Sequence, residues 1–122
     1  MNKEQYVLGS QEIEYYPEKN VILTTIDELF HTAGNIFRWR GDPHGIGLNE
    51  KIINFAIDRE AIIAVKVTTE RKYYAIHSKD WKDFSDKHNS FHVTKTKAGN
   101  PIKLYVCQAS MFNITEGSEV TR

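Results

Sequence analysis

Apolar and polar positions along this chain keep two rhythms, one of period two and one near 3.6, and together they divide it into hairpins separated by short helical stretches. Glu12-Ile13-Glu14-Tyr15-Tyr16 alternates, Pro17-Glu18-Lys19-Asn20 is turn chemistry, and Val21-Ile22-Leu23-Thr24 is apolar and β-branched, which predicts a first hairpin. Thr25-Ile26-Asp27-Glu28 then matches a capping box, with Thr25 as N-cap and Glu28 reaching back to it. Ile26, Leu29, Phe30 and Ala33 follow at helical spacing, so a short helix is expected here, stopping at Gly34-Asn35. The stretch 36–40 reads as a short strand or an irregular entry to a glycine loop. A second helix is expected over 49–58, with Leu48, Ile52, Phe55 and Ala56 as its buried stripe and Glu50 suiting the dipole of its first turn.

The second half has clearer punctuation. Stretches 61–68 and 73–77 read as strands around the polar turn Thr69-Glu70-Arg71-Lys72. Ser78 is placed to cap a helix over 79–88, whose Trp81 and Phe84 are three apart and share a face. A last hairpin joins 91–97 to 102–109 through Ala98-Gly99-Asn100-Pro101; Ile102, Leu104 and Val106 face one way, Lys103, Tyr105 and Cys107 the other. The order β-β-α-(β)-α-β-β-α-β-β predicts an α+β fold, a mostly antiparallel sheet built from hairpins with two or three short helices packed on one face. Residues 1–112 form a single domain in this reading. Residues 113–122, polar and without periodicity, form a loose tail. A sheet covered on one side leaves an outer face and edges free, which points to self-association or partner binding.

Composition narrows the class without naming the function. The chain has 122 residues, 40% hydrophobic and 26% charged, which suits one globular domain and argues against disorder. The longest apolar run, Ala61-Ile62-Ile63-Ala64-Val65, is too short to cross a bilayer. Met1-Asn2-Lys3-Glu4-Gln5 lacks the apolar stretch of a signal peptide, and a lone cysteine, Cys107, forms no intrachain disulfide; the cytoplasm is the expected compartment. Formal net charge is zero, so no global field draws the protein to nucleic acid. The distribution is uneven. Residues 1–30 set Lys3 and Lys19 against Glu4, Glu12, Glu14, Glu18, Asp27 and Glu28, whereas residues 61–100 carry eight lysines and arginines against four carboxylates. An acidic first quarter and a basic third quarter attract each other within one fold or between subunits, or leave a basic face for phosphates.

Candidate chemistry concentrates in Phe37-Arg38-Trp39-Arg40-Gly41-Asp42-Pro43-His44-Gly45-Ile46-Gly47, which runs into the helix expected from Asn49. Arg38 and Arg40 offer planar forks for phosphate and Trp39 a stacking face for a base. His44 can donate to phosphate or ribose, Gly45 and Gly47 let backbone N–H groups approach a ligand, and the helix start at Asn49 is a ready anion site. The stretch matches neither a Walker loop nor a dinucleotide fingerprint. Tyr73, Tyr74, Trp81, Phe84 and Phe91, set among lysines, could extend such a surface, although Trp81 and Phe84 fit the core side of their helix.

Catalytic patterns are weaker. Among five histidines, His88 and His92 have a four-residue spacing that suits metal ligands on one helix face, but Asn89-Ser90 reads as the exit from that helix. No serine sits in a nucleophile elbow, and Cys107 lies in an expected strand without an activating base. Ile63-Ala64-Val65-Lys66, with its hairpin partner Lys72-Tyr73-Tyr74-Ala75-Ile76 and the helix of Asp80-Trp81-Lys82-Asp83-Phe84, resembles the second half of a PD-(D/E)xK nuclease core. Ala64 stands where that family carries a carboxylate, so the resemblance implies a relative without the usual metal-holding pair, unless Asp42 or Glu50 is recruited from elsewhere. The expectation is therefore a non-catalytic protein that binds a nucleotide or nucleic-acid phosphate, with no cofactor and no metal, in character an accessory or inhibitor protein of a phage or mobile element. A protein–protein module acting through a sheet edge or face, and a degenerate PD-(D/E)xK-like nuclease, are the alternatives.

Overall fold

Side chains from two sheets and two helices meet in one core. The computed structural model describes residues 3–31, 44–95 and 98–116. Its elements are β1 (Glu4–Leu8), β2 (Gln11–Tyr16), β3 (Val21–Ile26), β4 (Phe30–His31), β5 (His44–Asn49), α1 (Glu50–Arg59), β6 (Ile62–Val67), β7 (Lys72–His77), α2 (Ser78–His88), β8 (Phe91–Lys95), β9 (Pro101–Gln108), a 3-10 turn at Ala109–Met111 and β10 (Asn113–Glu116). One sheet has the order β1-β2-β3-β6-β7-β10 and the other β4-β5-β9-β8. The α+β class holds; the hairpins are divided between two sheets. One pair among the described residues, β3 with β6, is parallel, and the chain between them passes through β5 and α1.

Strand alternation decides what each face of the six-stranded sheet does. Ile22 on β3, Ile63, Val65 and Val67 on β6, and Tyr74 and Ile76 on β7 point inward to meet Ile52, Ile53 and Ala56 of α1 and Trp81 and Phe84 of α2. Ile46 and Leu48 of β5 and Tyr105 and Cys107 of β9 close the same core from the second sheet. Trp81 is its largest fully buried side chain: its Nε1–H donates to Tyr105 O at 3.1 Å, and its ring stands edge-on to Phe112 at 5.2 Å. Tyr105, Val106 and Cys107 are buried in succession, so β9 is covered on both faces.

The helix expected over 25–33 does not form within the described residues. Thr25 and Ile26 continue β3, paired with Lys66 and Val67, and β4 follows at Phe30–His31. The carbonyls of Ile26 and Asp27, which a helix would spend on its own turns, instead accept from Thr68 N and Thr69 N, both at 3.1 Å. Three β-branched residues in a row, Thr24-Thr25-Ile26, favour that outcome. The helix start is also corrected by one residue in α2: His77, not Ser78, is the N-cap, its Nδ1 accepting from Lys79 N at 3.1 Å, while Ser78 Oγ donates to Ala56 O. Residues 113–116, expected in the loose tail, are an edge strand paired with β7, held by Phe112 against Tyr74 and Trp81.

Two ties join the first hairpins to the rest. Gly9 and Ser10, both at positive φ, make the two-residue turn between β1 and β2. A Cβ at Gly9 would lie 2.6 Å from Ile102 Cδ1 and 2.7 Å from Asn49 Cγ, so the turn is seated directly on the second sheet. At the other end, Asn20 accepts from Tyr15 OH at 2.7 Å and donates to Arg59 O at 2.8 Å, clasping the β2–β3 turn to the end of α1.

Candidate functional site

Arg38, Trp39 and Arg40 lie outside the described residues. The remaining members of the expected phosphate site are placed by a strand rather than a loop. His44, half-buried, opens β5 opposite His31; Gly45 pairs with Phe30 on one side and Gln108 on the other; Gly47 pairs with Val106. Their backbone is engaged in ladders, so the glycine loop expected from the sequence is corrected to a paired strand. A Cβ at Gly47 would meet Val106 and Leu104 at ordinary contact distances, 3.5 Å and beyond, so no close approach demands glycine there. Asn49, expected as the first residue of the helix, is the N-cap of α1. Its Oδ1 accepts from Ile52 N at 3.1 Å, and its Nδ2 donates to Leu8 O at 2.9 Å. Buried to 3% exposure, it is occupied in holding the fold.

The other chemistry-bearing residues are also spread apart. His88 ends α2, its ring tilted against Phe84 at 4.4 Å, whereas His92 lies in β8. Burial pushes the Cys107 thiol up to about 12, so it stays protonated and unreactive near neutral pH. Among the described residues no three His, Cys, Asp or Glu side chains are grouped to hold a metal ion. Ala64 and Lys66 of the nuclease-like strand share the outer face of the six-stranded sheet. The cross-strand neighbours of Ala64 are Leu23 and Ala75; those of Lys66 are Thr25 and Tyr73, with Lys66 Nζ 5.9 Å from the Tyr73 ring centre. No carboxylate occupies those neighbouring positions. Asp42 is outside the described residues, and Glu50 lies in the first turn of α1.

That outer face is the surface the sequence reading left unresolved, and its register is well defined. One row runs Glu14, Leu23, Ala64, Ala75, Asn113 across five strands. On one side of it lie Thr25, Lys66, Tyr73 and Thr115, and on the other Tyr16, Val21, Ile62 and His77. Ile62 is 40% exposed and Val7, on β1 of the same face, 68% exposed. Among the described residues both helices pack on the opposite face.

The face is not flat. The β2–β3 ladder stops at the Glu14–Leu23 pair; beyond it the Thr24 hydroxyl substitutes, accepting from Gln11 Nε2 at 2.9 Å and donating to Glu12 O at 3.1 Å. The β1–β2 hairpin departs there toward its seat on Asn49. An open groove of about 900 Å³ results, with Gln5, Glu12, Glu14, Leu23, Thr25 and Asp27 in its walls. Partial burial raises the pKa of Glu14, but hydrogen bonds from Lys3 (3.2 Å) and Tyr16 (3.0 Å) outweigh it and hold the carboxyl below its ordinary range. Glu14 is therefore a fixed negative charge beside an apolar strip, with exposed Glu12 next to it on β2.

One sequence signal does point to this surface. Val21-Ile22-Leu23 and Ile62-Ile63-Ala64-Val65 are apolar on both faces, the mark of strands that lie between two covers. The helices cover one face; on the other, Val21 and Ala64 are buried, Leu23 is half-buried and Ile62 is 40% exposed. No helix of the described residues is long and apolar enough to cross a membrane. No protein-family model, no curated protein and no solved structure matches the chain.

Proposed function

We propose that the protein is a binding module that meets another polypeptide through the outer face of its six-stranded sheet. The observation that carries this reading is the doubly apolar character of β3 and β6: of the residues that face away from the helices, Leu23 is half-buried and Ile62 40% exposed between Tyr16, Tyr73 and the groove, while Val21 and Ala64 are buried. Apolar side chains left partly open on a surface and rimmed by charge are the usual composition of a protein-binding patch. Phosphate binding has less support, because Gly45, Gly47 and Asn49 are engaged in the ladder and the cap, and Arg38, Trp39 and Arg40 are outside the described residues.

The test compares two exposed-site variants as baits. Ile62→Lys puts a charge on the proposed face, and Asn54→Lys puts one on the exposed side of α1. Both should melt within a few degrees of the parent, since surface substitutions cost about 0.5 kcal/mol or less. Ile62→Lys is expected to lose the polypeptides that the parent retains, while Asn54→Lys keeps them. Equal retention by the two variants would contradict the reading.

A further inference from the structure

We infer that the groove between β2 and β3 takes an extended, basic segment of the partner polypeptide, whose backbone pairs with Thr25 and whose lysine or arginine lies beside Glu12 and Asp27. The inference rests on the reading above and specifies what the partner must carry. It starts from the ladder. At the two ends of β3 the carbonyls of Asn20 and Ile26 accept from Ile62 N and Thr68 N, both near 3 Å. Alternate residues of β3 therefore turn their backbone groups toward β6, and Val21, Leu23 and Thr25 turn theirs toward β2. Tyr16 and Glu14 of β2 answer Val21 and Leu23, and the register stops there. Glu12 would come next, opposite Thr25, but its carbonyl accepts from the Thr24 hydroxyl at 3.1 Å. Thr25, an exposed residue, is left with no ladder partner on the groove side among the described residues. A strand open on one side is a template for an added strand.

Charge names the chemistry of that strand. The groove walls carry Glu12, Glu14 and Asp27 and, among the described residues, no lysine, arginine or histidine. Lys3 already answers Glu14 at 3.2 Å. Glu12 and Asp27 are both exposed, and neither makes an ion pair among the described residues. Walls of this sign favour a cationic segment and repel an acidic one. Val7 and Leu23, also in the walls, offer apolar contact to the alternate side chains of an extended chain. At about 900 Å³ the groove has the volume of a ligand site, enough for a short stretch of polypeptide.

Fluorescence anisotropy tests it with a labelled peptide that alternates lysine and threonine, a counterpart with glutamate for lysine, and the lysine peptide with its backbone nitrogens methylated. The parent is expected to bind the first and neither of the others, because methylation removes the N–H donors that an added strand needs. Glu12→Gln combined with Asp27→Asn should weaken binding about tenfold, two partly screened charge pairs being lost together. Glu18→Gln combined with Asp58→Asn removes the same charge at other exposed positions and should leave binding unchanged. The inference is overturned if the lysine peptide does not bind, if either other peptide binds as well, or if the two double variants behave alike. The broader reading is judged separately: it stands if Ile62→Lys still loses partners that Asn54→Lys retains, and falls if it does not.

Discussion

Replacing Trp81 by alanine should lower the melting temperature by about 15 °C. The side chain is fully buried, and truncating a buried tryptophan costs about 3–5 kcal/mol through lost transfer energy and the cavity left behind. At roughly 4 °C per kcal/mol for a domain of this length, that loss gives the stated shift. Position explains why the cost is large. Trp81 joins α2 to the second sheet through its hydrogen bond to Tyr105 O and joins both to the 3-10 turn through Phe112, so its removal loosens two contacts together. Trp81→Phe separates the two contributions: it keeps most of the ring volume and leaves Tyr105 O without its donor, for about 1–3 kcal/mol. Differential scanning calorimetry on the two variants measures both values. A shift of only a few degrees for Trp81→Ala would mean that the core does not depend on this residue.

Asn49→Ala is expected to cost about 2–4 kcal/mol, a large loss for one polar side chain. Two terms add. The N-cap acceptor for Ile52 N disappears, typically worth about 1 kcal/mol, and Leu8 O loses its partner in a half-buried place, worth about 1–3 kcal/mol. Asn49→Asp keeps the cap and suits the helix dipole but turns a carboxylate oxygen toward Leu8 O, so it isolates the tie to the β1–β2 hairpin. Urea unfolding should show both variants clearly destabilised. If Asn49 served a ligand instead, Asn49→Ala would unfold at the parent's midpoint and lose only binding.

These residues also show how much the sequence disclosed. Elements whose partners are close in the chain were legible: the β6–β7 hairpin, the β8–β9 hairpin, α1 with Asn49 at its start, and α2 with Trp81 and Phe84 inward. Local signals failed where a distant partner decided the structure. The capping-box pattern at Thr25-Ile26-Asp27-Glu28 is sound chemistry, yet the parallel pairing of β3 with β6, about 40 residues on, claims the same backbone. Glycine spacing concealed β5, since glycine usually weakens a strand, and its pairing with β9 joins residues about 60 apart. Nothing in 113–116 announces a strand; Phe112 anchors it from outside the segment. Of the expected site, Asn49 stands at the start of α1 with its side chain engaged in the cap and in the tie to Leu8. The outer sheet face was visible only as apolar residues at both phases of β3 and β6, which a period-two reading counts simply as buried strand.

Labelling at one exposed position of the outer face tests the central claim most directly. Thr25 is exposed, lies on β3 and shares the outer face with Leu23 and Lys66. Cys107 is buried and its thiol is held protonated, so Thr25→Cys supplies the single reactive thiol among the described residues. A photo-activated cross-linker on Thr25→Cys should join the chain covalently to another polypeptide, whereas the same label on Asn54→Cys, on the exposed side of α1, should not. Equal yields from the two sites, or no cross-linked product from Thr25→Cys, would contradict the assignment of this face.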